Sequence, residues 1–174
     1  MNRTALAIVS FVVGLLILPV CAYLYLNYGK PPVANADAPF PMEAKIVKGP
    51  LAKRIDREMP GAAPIAMNDD TAAAGATLYV QHCAFCHGQP GKGASIAKTM
   101  YPNPPQLWVK HKSGVVGVSD DPAGETFWKV KNGIRLTGMP AYTGILSETE
   151  MWQVSLLLAT ADKPLPAATK LLTP

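Results

Sequence analysis

The chain has 174 residues, of which 49% are apolar, 16% charged and 7% aromatic, and its formal net charge is +4. This length fits one modest domain, and the composition excludes collagen, coiled coils and wholly disordered chains. Only 3 cysteines occur, at positions 21, 83 and 86, which excludes a disulfide-rich scaffold.

The first thirty residues predict a membrane anchor. The run from Ala5 to Leu26 carries no charge and is long enough to cross a hydrocarbon core of roughly 30 Å. The alternative is a cleaved export signal, because Ala34-Asn35-Ala36 matches a small-x-small cleavage site. The apolar run exceeds the length of a signal core, which favours an uncleaved anchor. Lipidation of Cys21 is disfavoured by the branched Val20 before it.

Composition divides the chain into four parts. Residues 1–29 form the anchor, and residues 30–67 hold seven prolines and predict an extended linker. Leu51–Arg57 is the one helical candidate within that linker. Residues 68–163 predict the folded domain, followed by a C-terminal tail at 164–174. A linker of this length lets the domain swing between partners.

Three helices are predicted within the domain. The first begins at the acidic cap Asp70, and the second has Asp121 as N-cap and ends at Gly133, which suits a left-handed C-terminal position. The third begins with Ser147 and Glu150 at capping-box spacing. No stretch alternates as a strand does, so the domain is predicted to be all-α with long loops. So small a helical unit needs a staple or a cofactor at its centre.

Residues 83–87 read Cys-Ala-Phe-Cys-His, the C-x-x-C-H pattern of covalent haem c attachment. On a helical turn two cysteines three apart point to the same side, so both thiols can add to the vinyl groups of one porphyrin. His87 then lies under the iron as its proximal ligand.

Three other uses of this pattern fit less well. A thioredoxin-like pair would follow a strand, and a zinc site would need four convergent ligands with paired spacing. A disulfide between Cys83 and Cys86 would be strained and would leave His87 unexplained. The pattern therefore predicts one covalently bound haem c.

The distal iron ligand is predicted to be Met139, since a thioether raises the potential of a haem relative to an imidazole. Met139 lies in Thr-Gly-Met-Pro, a constrained loop far enough from His87 to return across the opposite face. Met100 and His111 are the alternatives. A carbonyl within residues 101–105 is expected to accept the Nδ1 proton of His87 and orient its ring, although the residues alone do not choose which.

The motif C-A-x-C-H-G, preceded by GATLYVQH and followed by FWKVKNGIRLTGMPAY, resembles the monohaem class I c-type cytochromes. The likeness is to bacterial membrane-anchored cytochromes of the cbb3-oxidase-subunit type, and it covers residues 70–162. It implies the class I cytochrome c fold, in which long loops wrap one haem and the first and last helices cross. Gly75, Tyr79 and Trp152 match that crossing.

The resemblance also implies ligand roles, with His87 proximal, Met139 distal, and the carbonyl of Pro104 or Pro105 on the imidazole. An iron with both axial positions filled by protein has no place for a substrate, so we expect one-electron transfer between respiratory donors and acceptors rather than catalysis. An enzyme or ligand sensor remains the alternative if Met139 dissociates. Carbon monoxide binding to the reduced protein would reveal this.

The haem-bearing region is locally basic, which predicts a redox partner with an acidic docking surface. The alternative is that these are ordinary solvated charges, two of which the haem propionates offset. Neither nucleic acid nor a small-molecule substrate is expected. We expect a single-pass protein of a bacterial inner membrane with its domain on the periplasmic side. It would act as a tethered shuttle or, alternatively, as a permanent haem subunit of an oxidoreductase complex. Between His82 and Arg135 there are three acids and seven cations: Lys92, Lys98, Lys110, Lys112, Lys129, Lys131 and Arg135.

Overall fold

The computed structural model describes residues 2–111 and 114–173; Met1, Lys112, Ser113 and Pro174 lie outside the described residues. Within the described ranges the chain forms helices and no β-strand, which confirms the all-α prediction. Two compact units are present, Met1–Glu43 and Ala44–Pro174. A 3-10 helix covers Ser95–Thr99, and the α-helices are α1 (Arg3–Tyr28), α2 (Glu43–Glu58), α3 (Asp69–His82), α4 (Ala84–His87), α5 (Ala123–Asn132), α6 (Glu148–Ala159) and α7 (Pro166–Leu172).

Helix α1 is the main element of the first unit. Asn2 caps it by accepting a hydrogen bond from Ala5 N at 2.9 Å, and the helix ends at Gly29. Its 26 residues rise by about 39 Å, and none of them is buried. The helix is therefore long and apolar enough to cross a membrane, which indicates a membrane-anchored protein.

Helix α2 occupies much of the segment predicted as an extended linker. The sequence predicted helix only over Leu51–Arg57, whereas the structure has 16 helical residues with Pro50 inside the helix. Ile55 is 3% exposed, so α2 is packed rather than free in solvent. Burial of Ile55 stabilises this longer helix, and the proline content of the segment does not predict that contact.

Polar contacts join the end of α2 to α5. Glu58 accepts a hydrogen bond from Trp128 Nε1 at 3.0 Å, and the Arg54 guanidinium lies 5.7 Å from the centroid of the Trp128 ring. Hydrogen bonds from Arg54 and then Trp128 lower the pKa of Glu58. The part of the predicted linker that precedes α2 is thus residues 30–42.

Helices α3 and α6 cross at the centre of the second unit. Gly75 permits the crossing, because a Cβ there would collide with the backbone of Gln153 and meet Leu157 Cβ at 3.2 Å. Tyr79 and Leu157 are fully buried. Helix α3 begins one residue before the predicted Asp70, since Asn68 is its cap and accepts from Thr71 N at 2.8 Å.

Helix α7 lies in the segment predicted as a tail. Ala168 and Leu172 are 0% and 2% exposed and belong to the same core cluster as α3 and α6. The tail prediction rested on Pro164 and Pro166, but Pro166 is the first residue of α7, a position where a missing N–H costs no helical hydrogen bond.

Helix α5 packs on α6 and forms a second core. In this second core Phe127 stacks on Trp152, with ring centroids 4.2 Å apart. In the first core, between α3 and α6, Tyr79 packs edge-on against Trp108, with ring centroids 5.6 Å apart. The capping box at the start of α6 is present, with Ser147 and Glu150 bonded reciprocally.

The start of α5 differs from the prediction, because Pro122 is its N-cap residue. The predicted cap, Asp121, instead lies 3.8 Å from Lys129 Nζ.

Candidate functional site

The C-x-x-C-H segment forms one helical turn directly after α3. Cys83 N donates to Tyr79 O at 2.8 Å, and His87 N donates to Cys83 O at 2.9 Å. The turn is held from α3 as well, since Tyr79 Oη donates to Gly88 O at 2.7 Å. Cys83, Cys86 and His87 all line one cavity, so the helical geometry brings the two thiols and the imidazole to the same space.

The imidazole of His87 is oriented by Pro105. Its Nδ1 lies 2.7 Å from Pro105 O, and because a carbonyl only accepts, Nδ1 carries the proton and the lone pair is on Nε2. Of the two proline carbonyls that the sequence left open, this contact selects Pro105, while Pro104 lines the cavity. Burial lowers the pKa of His87, and the bond to Pro105 opposes that shift. Burial, the larger cause, favours a neutral imidazole, and the bond to Pro105 leaves its Nε2 lone pair able to bind a metal.

Gln106 ties the two loops around His87 together and was not identified from the sequence. Its Nε2 donates to Cys86 O at 3.1 Å, and its Oε1 accepts from Ala94 N at 2.7 Å. The amide therefore joins the attachment turn to the glycine-rich loop after it. A glutamine within a proline-rich stretch gives no local signal of these partners, which lie 12 and 20 residues away.

The thiol of Cys83 is partly buried and protonated at neutral pH. Burial raises its pKa to about 12, and the neighbouring Cys86 adds to the rise. Dithiol exchange enzymes depend on a thiol whose pKa is lowered. The environment of Cys83 is thus unlike that of a thioredoxin-like pair.

Met139 is carried by a short, internally bonded loop between α5 and α6. Met139 N donates to Thr137 Oγ1 at 3.1 Å, and Met139 O accepts from Ile134 N at 3.2 Å. Gly133 has φ +65 and approaches the backbone of residues 139–141 closely, so a side chain there would displace the loop. These contacts define where the Met139 thioether lies.

Met139 lies across the same cavity, which has a volume of about 320 Å³. Met100, an alternative ligand in the sequence, also lines this cavity, whereas His111 is exposed and lies outside its lining. A Cβ on Gly138 would collide with Met100 Cε, so the two methionine segments are in contact. Pro102 and Asn103 belong to the stretch expected at His87, and Thr137, Gly138 and Pro140 belong to the loop predicted to carry Met139. The lining residues that sequence reasoning missed are His82, Val130, Ile134 and Tyr142.

The residues present fit haem c. Two thiols on one turn can form two thioether bonds, an oriented neutral imidazole is a suitable proximal ligand, and a thioether faces the same mainly apolar cavity. Cavities of this size and character are typical of cofactor sites.

Comparison with known families gives one match. Residues 70–156, which make up half of the chain, match the family described as cytochrome c oxidase, cbb3-type, subunit III. No curated protein matches the chain. The matched segment contains the C-x-x-C-H turn, the Pro105 contact and the Met139 loop.

Proposed function

Because this chain belongs to the family of cbb3-type cytochrome c oxidase subunit III, we propose that it is a membrane-anchored monohaem cytochrome that transfers single electrons in a respiratory chain. A domain of this family is a c-type cytochrome, so the chain is an electron-transfer protein that binds haem c. The observation that carries the proposal is the convergence of Cys83, Cys86, His87 and Met139 on one cavity.

Each of these residues has one role. When bound, haem c supplies a one-electron couple between ferrous and ferric iron. Cys83 and Cys86 hold it through thioether bonds, each formed as the thiol S–H adds across a vinyl double bond. His87 binds the iron through Nε2 while Pro105 O fixes the ring by holding the Nδ1 proton.

Met139 would be the second protein ligand of the iron, through its thioether. Two protein ligands leave no position for a substrate, which favours electron transfer over catalysis. The internal bonds of the Met139 loop and the bonds of the His87 turn hold both ligands in place in either oxidation state. Little rearrangement then accompanies each electron.

The anchor and linker determine how far the domain can travel. We propose that α1 is retained as a single span of a bacterial inner membrane, with the domain on the periplasmic side. Because the end of α2 is packed on the domain, the free tether is residues 30–42, which reaches of order 40 Å in an extended proline-rich state. The linker predicted over residues 30–67 would reach of order 100 Å in the same state, so exchange is limited to partners close to the anchor.

The docking surface is proposed to be a groove between α2 and the loop at residues 133–136. The groove has a volume of about 470 Å³ and is lined by Ile46, Val47 and Leu51 on one side and Leu136 on the other. Ile134 lines both this groove and the haem cavity. Ile134 therefore connects the cavity with the groove, which favours electron exchange there.

The charge around this groove favours an acidic partner. Arg54 and Arg135 line it and no acidic residue does. Arg54 is already paired with Glu58 at 3.0 Å, so the exposed Arg135 carries the charge offered to a partner. A redox protein with an apolar contact and an acidic rim complements this groove. Arg135→Glu is expected to slow electron exchange with the partner and to remove part of its salt dependence, whereas Lys163→Glu, an exposed cation on the α6–α7 connection, changes it little.

A redox titration of the full-length holoprotein in mild detergent tests the proposed function. We expect one reversible transition that follows a one-electron curve, and no carbon monoxide binding to the reduced form. Carbon monoxide binding by the unmodified protein would instead support a ligand sensor or enzyme.

Native separation of detergent-solubilised membranes with haem staining distinguishes a shuttle from a permanent subunit. Migration as a small species supports the shuttle. Stable comigration with larger polypeptides supports membership of an oxidoreductase complex, and the identity of those polypeptides names the reaction.

A further inference from the structure

Tyr142 links the Met139 loop to the attachment turn. It follows Met139 by three residues, is 9% exposed and lines the haem cavity. Its Oη donates a hydrogen bond to His82 O at 2.8 Å. The bond therefore joins the loop that carries one proposed iron ligand to the residue directly before Cys83.

The carbonyl of His82 is available because α3 ends there. The last carbonyls of a helix have no amide partner within it, and the N–H groups of Cys86 and His87 both donate to Cys83 O. The Tyr142 hydroxyl satisfies the His82 carbonyl from across the cavity. The same ring packs edge-on against the His82 imidazole, with centroids 5.8 Å apart.

The other end of the Tyr142 residue is fixed to α5. Tyr142 N donates to Val130 O at 3.0 Å. Met139, in contrast, bonds through its backbone to Ile134 and Thr137, both within its own loop. Among the hydrogen bonds that these described residues make, the tyrosine hydroxyl is the direct tie from this loop to the residue before the Cys83–His87 turn.

We propose that Tyr142 is a positioning residue: its hydroxyl holds the Met139 loop at a fixed distance from the attachment turn and so restrains dissociation of the Met139 thioether from iron. The proposal rests on the proposed function, in which Met139 and His87 are the axial ligands. Loss of the hydroxyl leaves the ring in place but lets the loop move away more often. A net hydrogen bond of ordinary strength predicts a rise in the dissociation rate of about 2- to 10-fold.

Tyr79 provides a matched control. It is also buried, and its Oη donates to Gly88 O at 2.7 Å, on the other side of the same turn. Tyr79→Phe and Tyr142→Phe each remove one oxygen atom and one bond to a backbone carbonyl. Only Tyr142 connects to the Met139 loop, so the two variants separate positioning of the ligand from general stability.

The experiment measures binding of excess imidazole to the ferric full-length holoprotein in detergent by stopped-flow absorbance. At saturating imidazole the rate reports thioether dissociation. We expect about a 2- to 10-fold increase in Tyr142→Phe and no increase in Tyr79→Phe, with similar losses in unfolding free energy for both variants. Equal rates in the two variants, or no change in Tyr142→Phe, would overturn the role of Tyr142.

The absorption band of a thioether bound to ferric haem separates this failure from failure of the proposed function. If the unmodified protein shows the band but Tyr142→Phe exchanges no faster, only the positioning role is overturned. Absence of the band in the unmodified protein would overturn both the positioning role and the assignment of Met139.

Discussion

Gly133→Ala tests how the end of α5 sets the position of the Met139 loop. Gly133 has φ +65, and a Cβ built on it would lie 2.6 Å from Ala141 N, 2.7 Å from Pro140 C and 2.9 Å from Met139 O. All three atoms belong to backbone, so no side-chain rotation relieves the contact. The loop has to move by several tenths of an ångström, and Met139 moves with it.

The cost has two parts. Alanine in the left-handed region loses about 1–2 kcal/mol, and forced repacking of a close contact adds about 1–3 kcal/mol. We therefore expect a loss of about 2–5 kcal/mol in unfolding free energy, together with weakening of the thioether absorption band of the ferric protein.

Gly91→Ala is the matched control for this prediction. Gly91 has φ +74 and nothing within 4 Å of a built Cβ, so it carries the backbone strain without the collision. Denaturant unfolding of both holoproteins should show a loss of about 1–2 kcal/mol for Gly91→Ala with an unchanged thioether band. If Gly133→Ala matches this control in both stability and spectrum, the close approach does not position Met139.

Three further predictions follow from the site and its supports. Met139→Ala should keep covalent haem, lower the reduction potential and allow carbon monoxide to bind the reduced protein. Met100→Ala should also keep covalent haem but leave the potential and the absence of carbon monoxide binding unchanged. The opposite pattern would make Met100 the ligand. Trp128→Phe removes the indole N–H that donates a hydrogen bond to Glu58, so amide hydrogen exchange within α2 should accelerate about 2- to 10-fold without a change in α6. An equal acceleration in both helices would show that this bond does not hold α2. Hydrogen bonds from Ser147 lower the pKa of Glu150 below its ordinary value of 4.5. The stability that its carboxylate contributes is therefore complete above pH 4.5 and is lost as pH falls through the lowered pKa. Glu150→Gln should reduce the loss of unfolding free energy over this acidic range, and an unchanged loss would contradict the role of the carboxylate.

The features that the sequence predicted well depend on neighbours along the chain. The C-x-x-C-H spacing needs only one helical turn to bring Cys83, Cys86 and His87 together, and the capping box at Ser147 spans three residues. Gly133 could be identified as a helix end because only glycine adopts the left-handed conformation freely. Such local rules predict these features without knowledge of the rest of the fold.

The features that were missed depend on distant partners. Proline content predicted an unstructured segment around α2, yet Glu58 and Trp128 meet across 70 residues. The same holds for Tyr142 and His82, which are 60 residues apart. No periodicity or motif within a short window encodes contacts of this kind.

Intact mass measurement of the denatured full-length protein, after expression with a haem c maturation system, tests the central claim most directly. Covalent attachment through both thiols predicts the mass of one haem retained on the unfolded chain and located on the peptide containing residues 83–87, with no retained haem when Cys83 and Cys86 are both replaced by serine. A chain that matures without covalent haem, or that keeps it in the double serine variant, would refute covalent attachment at this turn.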